Sequence, residues 1–316
     1  MLLKCCFYVE KPGLFTSVQD LGRHGHQSLG VPIGGAMDRF SAKAANWLVG
    51  NPLSHPVLEI TLIGPILKFV KDCQVAICGG NLSPMIDQHP VPLFQTLHIK
   101  QGERLTFGRC ISGCRAYLAI RGEWHMAKWL DSFSAAYPGA SILTPEQVLV
   151  KGQEVCISVG PTIPSRKLVE PVDYSQKPPW KIAVLPGPEY TQTDPLSLGY
   201  FFSHEYRIRP ESNRMGYRLN GPQLATVSTS MQISSGVMPG TIQITPSGQP
   251  IVLMADAQTT GGYPRIAQVT QASLDTLGQA KPGDALHFYL QGIEEAREAY
   301  KKRRDREKLA FSDPYA

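Results

Sequence analysis

The chain has 316 residues, 42% of them apolar, and a net charge of +5. Such a length suggests about two domains with room for a real core, and no apolar run approaches the roughly 18 residues of a membrane-spanning helix. The charge does not point to nucleic acid: Lys301–Lys308 holds six basic and two acidic residues, which leaves +1 for the rest, and no basic stripe is interleaved with aromatics. The opening residues hold Lys4 and a short apolar stretch before Glu10, so no signal peptide is read. The seven cysteines include no CxxC pair. They read as reduced, mostly buried thiols in a reducing compartment and not as a zinc site. A soluble, cytoplasmic protein without a metal, a membrane or a nucleic-acid partner is the expectation.

In chain order, the first marked stretch is SVQDLGRHGHQSLGVPIGGAMD (17–38). Gln19, Asp20 and Arg23 stand among glycines, whose backbone can approach a ligand and offer N–H groups to an anion. Arg23 suits a carboxylate or phosphate. The same residues also read as a structural turn in which Asp20 and Arg23 pair with each other. His24 and His26 share a side at strand spacing, but a third metal ligand is missing. A helix is expected from about Ser41 to Val49, because Phe40, Ala44, Trp47 and Leu48 fall on one face. Asp38 is its candidate N-cap and Gly50 its stop.

Strand-like runs follow at 57–70, 74–80, 97–108, 114–122, 240–256 and 284–290, rich in β-branched and aromatic residues and separated by Gly, Pro and Asn. Short, punctuated strands of this kind indicate a mostly β fold of barrels or sandwiches. Residues 161–180 contain five prolines and no apolar periodicity, and read as an extended linker. The resulting division is a first β domain over 1–165, a Pro-rich linker over 166–180, a second β domain over 181–292 and a basic C-terminal helix or tail over 293–316. The pattern L-x-G-P-x-L occurs at 62–67 and again at 219–224, a faint sign of duplication. The last helix is expected over about Gly292–Leu309, with a thin apolar face.

Two stretches in the second half concentrate polar groups beside glycines. In ESNRMGYRLNGP (211–222), Arg214 and Arg218 would point the same way along a strand and could bind carboxylate or phosphate, or simply meet solvent and ion-pair partners. In MADAQTTGGYPRIAQ (254–268), Asp256 follows the apolar run IVLM and precedes Gln258, Thr259, Thr260, Gly261, Gly262 and Tyr263. A carboxylate at the end of a buried strand suits acid–base work; a β-turn with an Asx cap is the bland alternative. P-loop, GxGxxG, GxSxG and HExxH motifs are all missing.

Taken together, PGLFTSVQDLGRHGHQSLGVPIGGAMD, SAKAANWLVGNP, LEITLIGP, RMGYRLNGP, GTIQITPSGQPIVLMADAQTTGGYPRIA and LGQAKPGD resemble the allophanate hydrolase subunit 2 (Kip-antagonist) family over roughly residues 8–290. The nearest branch is the C subunit of the bacterial ATP-dependent 5-oxoprolinase. The resemblance implies two cyclophilin-like β-barrel domains. It also implies work with the Kip-inhibitor-like B subunit and the A subunit of 5-oxoprolinase to open 5-oxo-L-proline to L-glutamate, with ATP and Mg as cofactors. On that reading Asp256, Arg214 and Arg218 are catalytic candidates. Gln243, Gln258, Thr259, Gly261, Gly262 and Tyr263 would bind substrate or nucleotide, and Gln19, Asp20, Arg23 and Asp38 would complete the cleft or meet the B subunit. Arg121-Gly122-Glu123, Leu130–Ser134 and Ser273 depart from the family pattern, so no role is carried to the loop after Trp124. Two other readings remain open: a regulatory partner that antagonises a Kip-type kinase inhibitor, and a biotin-dependent carboxyltransferase acting on urea or another amide, with the biotin carrier on a separate chain.

Overall fold

The computed structural model describes residues 5–136, 145, 147–225 and 233–312. They form two compact units. The first takes the described residues up to Arg23, Gly34–Ser175 and those from Glu307 on; the second takes His24–Ile33 and Gln176–Arg306.

In the first unit the strands lie in two sheets. One runs in the order Gly122–Trp124, Glu154–Val159, Cys5–Lys11, Ile66–Phe69, Arg104–Phe107, Pro84–Ile86 and His89–Pro90. The other runs Phe15–Gln19, Val57–Thr61, Ser112–Ile120, Cys73–Asn81 and Thr96–Ile99. This second sheet is buried on both faces, which explains its unbroken apolar runs. Leu58, Ile60, Val75, Ile77, Leu118 and Ile120 face the main core with Phe7, Val9, Leu67 and Phe69. The alternate residues Val57, Ala76, Cys78, Tyr117 and Ala119 face helix α1 (Arg39–Leu48). The helix begins as its sequence predicts: the Asp38 carboxylate caps it by accepting the Ser41 N–H at 2.9 Å, and Gly50 beyond its end has φ 66°.

A buried polar knot ties α1 to the sheet. Tyr117 and Glu59 are cross-strand partners, and the tyrosine hydroxyl donates to the Glu59 carboxylate at 2.9 Å while accepting the Asp38 N–H at 2.8 Å. Glu59 also accepts the Met37 N–H at 2.8 Å and lies 3.5 Å from the Arg115 guanidinium. The other Asp38 oxygen accepts the hydroxyls of Ser41 at 2.6 Å and Tyr174 at 2.7 Å. Burial, then the charges of Glu59 and Asp38, hold the Tyr117 hydroxyl well above the usual phenol range, so it stays a donor.

Much of the stretch 161–180, read from its prolines as an extended linker, is docked. Leu168 is buried with Phe94 and α1. Gln74 and Ile163 exchange two hydrogen bonds at 2.7 and 2.9 Å, and Tyr174 reaches Asp38. An extended segment that docks through single side chains leaves no periodic signal to read. The units divide at Ser175/Gln176, inside the same stretch.

In the second unit seven strands close a barrel in the order Trp180–Pro186, Arg265–Val269, Thr241–Ile244, Pro250–Leu253, Gly216–Asn220, Tyr206–Ile208 and Ala285–Leu290. Trp180–Pro186 pairs in parallel with Ala285–Leu290, while its pairing with Arg265–Val269 is antiparallel. Ile182, Val184, Leu219, Ile242, Val252, Ile266, Leu286 and Phe288 are buried. Two short helices escape the apolar-periodicity reading. Helix α2 (Pro195–Ser203) is capped by Asp194, with proline at its first turn, and Phe201 stacks on Phe288 at 4.8 Å; the Asp-Pro pair was its signal. Helix α3 (Leu274–Gln279) buries Leu277. Helix α4 (Ile293–Ala310) buries none of its residues, in line with the thin apolar face expected of it. Among the described residues no helix is long and apolar enough to cross a membrane.

Tyr117→Phe removes one bond from a buried carboxylate and the acceptor of the Asp38 N–H. It should lower unfolding stability by about 1–3 kcal/mol, read as a lower denaturant midpoint with unchanged slope; an unshifted midpoint would contradict the knot's role.

Candidate functional site

In the second unit, Arg214 and Asp256 are brought together past the end of a strand pair. Gly216 and Leu253 are the last paired residues, and the ladder continues as Met254 N–H donates to the Met215 carbonyl at 3.0 Å and Asp256 N–H to the Arg214 carbonyl at 2.9 Å. The side chains then form a bidentate pair, Arg214 Nε to Oδ2 at 2.7 Å and the second nitrogen to Oδ1 at 2.8 Å. Both are about 6% exposed. Each Asp256 oxygen thus accepts from the guanidinium, and the pair braces the loop instead of offering a free carboxylate.

The expected convergence of Arg214 and Arg218 is not observed. Arg218 is exposed between buried Tyr217 and Leu219 on the strand Gly216–Asn220. Arg214 precedes that strand, so the alternation that would have aligned the two does not extend to it.

The loop after Asp256 folds back as a two-residue ladder, Thr260–Gly261 against Ser235–Gly236. Gln243 is buried, and its Nε2 donates to the Tyr263 carbonyl at 3.1 Å. A Cβ on Gly261 would stand 2.8 Å from that nitrogen, so glycine suits the close approach. Gln258 and Tyr263 are exposed, and Thr259 and Gly262 half-buried. Beside them Arg265 grips Glu189 with two bonds of 2.8 and 2.7 Å, while its own N–H reaches the same carboxylate at 2.8 Å. The Arg265 hydrogen bonds, opposed by burial, hold the Glu189 carboxyl below the usual range. This pair was missed; nothing near Glu189 announces a partner 76 residues away.

In the first unit, Asp20 gathers a loop from more than a hundred residues away. Its Oδ1 accepts the Gly22 N–H at 2.8 Å and the hydroxyls of Ser132 at 2.7 Å and Ser134 at 2.5 Å; its Oδ2 accepts the Phe133 N–H at 2.7 Å. Arg23 donates to the Ser134 carbonyl and lies 4.8 Å over the Trp129 ring. The serines stand in the segment that departs from the family pattern, where no role was expected. Leu130 and Asp131 take positive φ, 48° and 61°, to make the turn.

Asp20 also lines an open cleft of about 630 Å³, together with His55, Glu123, Trp124, Lys128 and Phe133 among others. Gln19 and Asp38 do not line it: both are fully buried, Gln19 donating to Ser17 Oγ at 3.0 Å and Asp38 serving the knot at α1. Their expected place in a cleft or at a partner surface is therefore corrected; they are interior groups. Among the described residues no cluster of three His, Cys, Asp or Glu side chains could hold a metal ion.

Residues 29–290 match the model of the carboxyltransferase domain, subdomains A and B. The chain belongs to this family. It is 37% identical to the 5-oxoprolinase C subunit of Escherichia coli, covering 92% of each protein. It is 33% identical to urea amidolyase of Saccharomyces cerevisiae over 90% of this chain, which spans 17% of that protein. The solved structure of Kluyveromyces lactis urea carboxylase superposes with a TM-score of 0.88 at 29% identity, over 99% of this chain and 30% of that one. The family assignment agrees with the resemblance read from the sequence motifs and with the mostly β architecture.

Asp256→Ala removes the carboxylate that both guanidinium bonds reach in a buried pair and should cost about 3–5 kcal/mol of stability. Arg218→Ala, on the surface, should stay within about 0.5 kcal/mol. Equal effects in chemical denaturation would contradict the brace. Because the Glu189 pKa is depressed in the fold, its contribution is complete above the unfolded value of about 4.3 and is lost as pH falls through the folded value. The stability gap between wild type and Glu189→Gln should therefore narrow on acidification below about pH 4.3; a constant gap would contradict the pairing.

Proposed function

We propose that this chain is the C subunit of an ATP-dependent 5-oxoprolinase, which opens the lactam of 5-oxo-L-proline to L-glutamate and works only together with the A and B subunits. The observation that carries the reading is the match to the E. coli protein over 92% of each chain, of a kind that a shared module within a longer enzyme does not give. A five-membered lactam is a poor electrophile, and Mg–ATP would supply a phosphoryl group to activate its carbonyl.

Two of the three arginines singled out in this chain are engaged, and the third, Arg218, is a single exposed side chain on its strand, which does not make a triphosphate clamp. Arg214 is held bidentately by Asp256, and Arg23 by the Ser134 carbonyl and the Trp129 ring. On this reading the nucleotide belongs to one of the partner chains. Arg214 and Asp256 then act by position: they hold the loop on which Gln258 and Tyr263 stand open to solvent or substrate, with Thr259 half-buried between them.

A carboxyltransferase acting on urea or a related amide through biotin is the second reading. The similarity to the urea amidolyase and urea carboxylase favours it. Since this chain spans under a third of either, the remaining domains would then be separate chains.

The chain alone should show no 5-oxoproline-dependent ATP hydrolysis, and the co-purified A, B and C subunits should show it together with release of glutamate. Silence of the reconstituted complex would overturn the first reading, and urea-dependent, avidin-sensitive turnover would establish the second.

A further inference from the structure

Two thiols of the first unit meet between its two sheets. Cys6 lies on the strand Cys5–Lys11 of one sheet, and Cys73 opens the strand Cys73–Asn81 of the other. The Cys6 carbonyl accepts the Val70 N–H at 2.9 Å, and only Lys71 and Asp72 separate Val70 from Cys73. The ladder between Cys5–Lys11 and Glu154–Val159 is irregular between Cys5 and Phe7, and an irregularity of this kind re-aims a side chain. Cys6 and its neighbour Phe7 are accordingly both fully buried, and Cys6 joins Cys73 in the main core. Cys73 retains 6% exposure.

The two sulfurs are unequal. Hydrogen bonding from the Cys73 thiol, opposed by burial and helped by the Lys71 charge, holds the Cys6 thiol below the usual thiol range. The same hydrogen bond, then burial, pushes Cys73 up. Cys73 therefore keeps its proton and donates it, and Cys6 is the sulfur with thiolate character, the attacking form of cysteine. Other cysteines are set differently. Cys78 packs towards α1, and burial, then the Asp38 charge, hold it protonated. Cys110 donates to the Gly113 carbonyl at 3.4 Å. A single buried thiol is inert, whereas a low-pKa thiol beside a second one has its resolving partner in place.

We infer that Cys6 and Cys73 form a peroxide-sensitive thiol pair that closes reversibly to a disulfide between the two sheets of the first unit. The Cys6 thiolate attacks one oxygen of hydrogen peroxide; the O–O bond breaks, a sulfenic acid forms on Cys6, and hydroxide leaves and takes up a proton as water. With the thiolate charge gone, Cys73 gives up its proton and its sulfur attacks the Cys6 sulfur; the S–O bond breaks, and the hydroxyl leaves with that proton as a second water. Two thiols are oxidised to a disulfide and one peroxide is reduced to two waters. A thiol reductant reverses the step through a mixed disulfide. The oxidant is scarcely larger than water, and it reaches the pair at the first residues of both strands, where local opening costs least. The bridge links position 6 to position 73 and so constrains the unfolded chain. The device belongs to the first unit whatever reaction the chain serves.

The test uses the full chain, reduced, freed of reductant and exposed to hydrogen peroxide in native buffer. The intact mass should fall by two hydrogen atoms, fragmentation of the linked peptides should place the bridge between Cys6 and Cys73, and dithiothreitol should restore the mass. The oxidised form should unfold at a higher denaturant midpoint than the reduced form. Cys73→Ala, which removes the resolving sulfur, should leave a sulfenic acid on Cys6 that dimedone traps; Cys6→Ala should leave none on Cys73. The mapping on the wild-type chain stands whether or not either variant folds. No bridge in the wild type, a bridge that forms only in denaturant, or a bridge through Cys5 or Cys156 overturns the inference. Dimedone capture on Cys73 with Cys6 unlabelled overturns it as well.

Discussion

The carboxylate of Asp20 is the constraint on which the first unit's cleft depends. A loop with two residues at positive φ has no regular backbone ladder to hold it. Here one buried charge accepts two serine hydroxyls and two backbone N–H groups, and so fixes Ser132, Phe133 and Ser134 against the end of the strand Phe15–Gln19. Hydrogen bonds to a charged acceptor are roughly twice as strong as neutral ones, and in a buried setting each member polarises the others. The wall that carries Phe133 is built from this one residue outward.

The same logic recurs at other buried acids. Asp38 caps α1 and anchors Tyr174. Asp256 holds Arg214, and Glu189 holds Arg265. In each case the carboxylate satisfies donors that would otherwise be buried without partners, and the chemistry available to a ligand moves to its neighbours. Under the function proposed above this division is useful, because groups that meet a substrate must be positioned to within fractions of an ångström, and rigid carboxylate braces provide such positioning without themselves reacting.

Much of the fold was legible because burial imprints a period. The run VLEIT alternates between two buried faces, α1 repeats every three to four residues, and its cap and stop are spelled by Asp38 and Gly50. Helix α2 lacked a comparable stripe and was announced only by Asp194-Pro195. The docked segment around Leu168 carried no period at all. Within the polar stretches marked as site candidates, the pairings were hidden. Asp20 meets Ser132 and Ser134 across 112 and 114 positions, and Arg214 meets Asp256 across 42. Local composition shows a charge and cannot show what tertiary folding sets opposite it.

The central claim, that the Asp20 charge orders the cleft wall, is tested most directly by amide hydrogen exchange at Phe133 and Gly22 in the wild type and in Asp20→Asn. The account predicts protected amides in the wild type and exchange faster by roughly tenfold or more at both positions in the variant, with the distant barrel strands unaffected. Unchanged protection at Phe133 and Gly22 would contradict it.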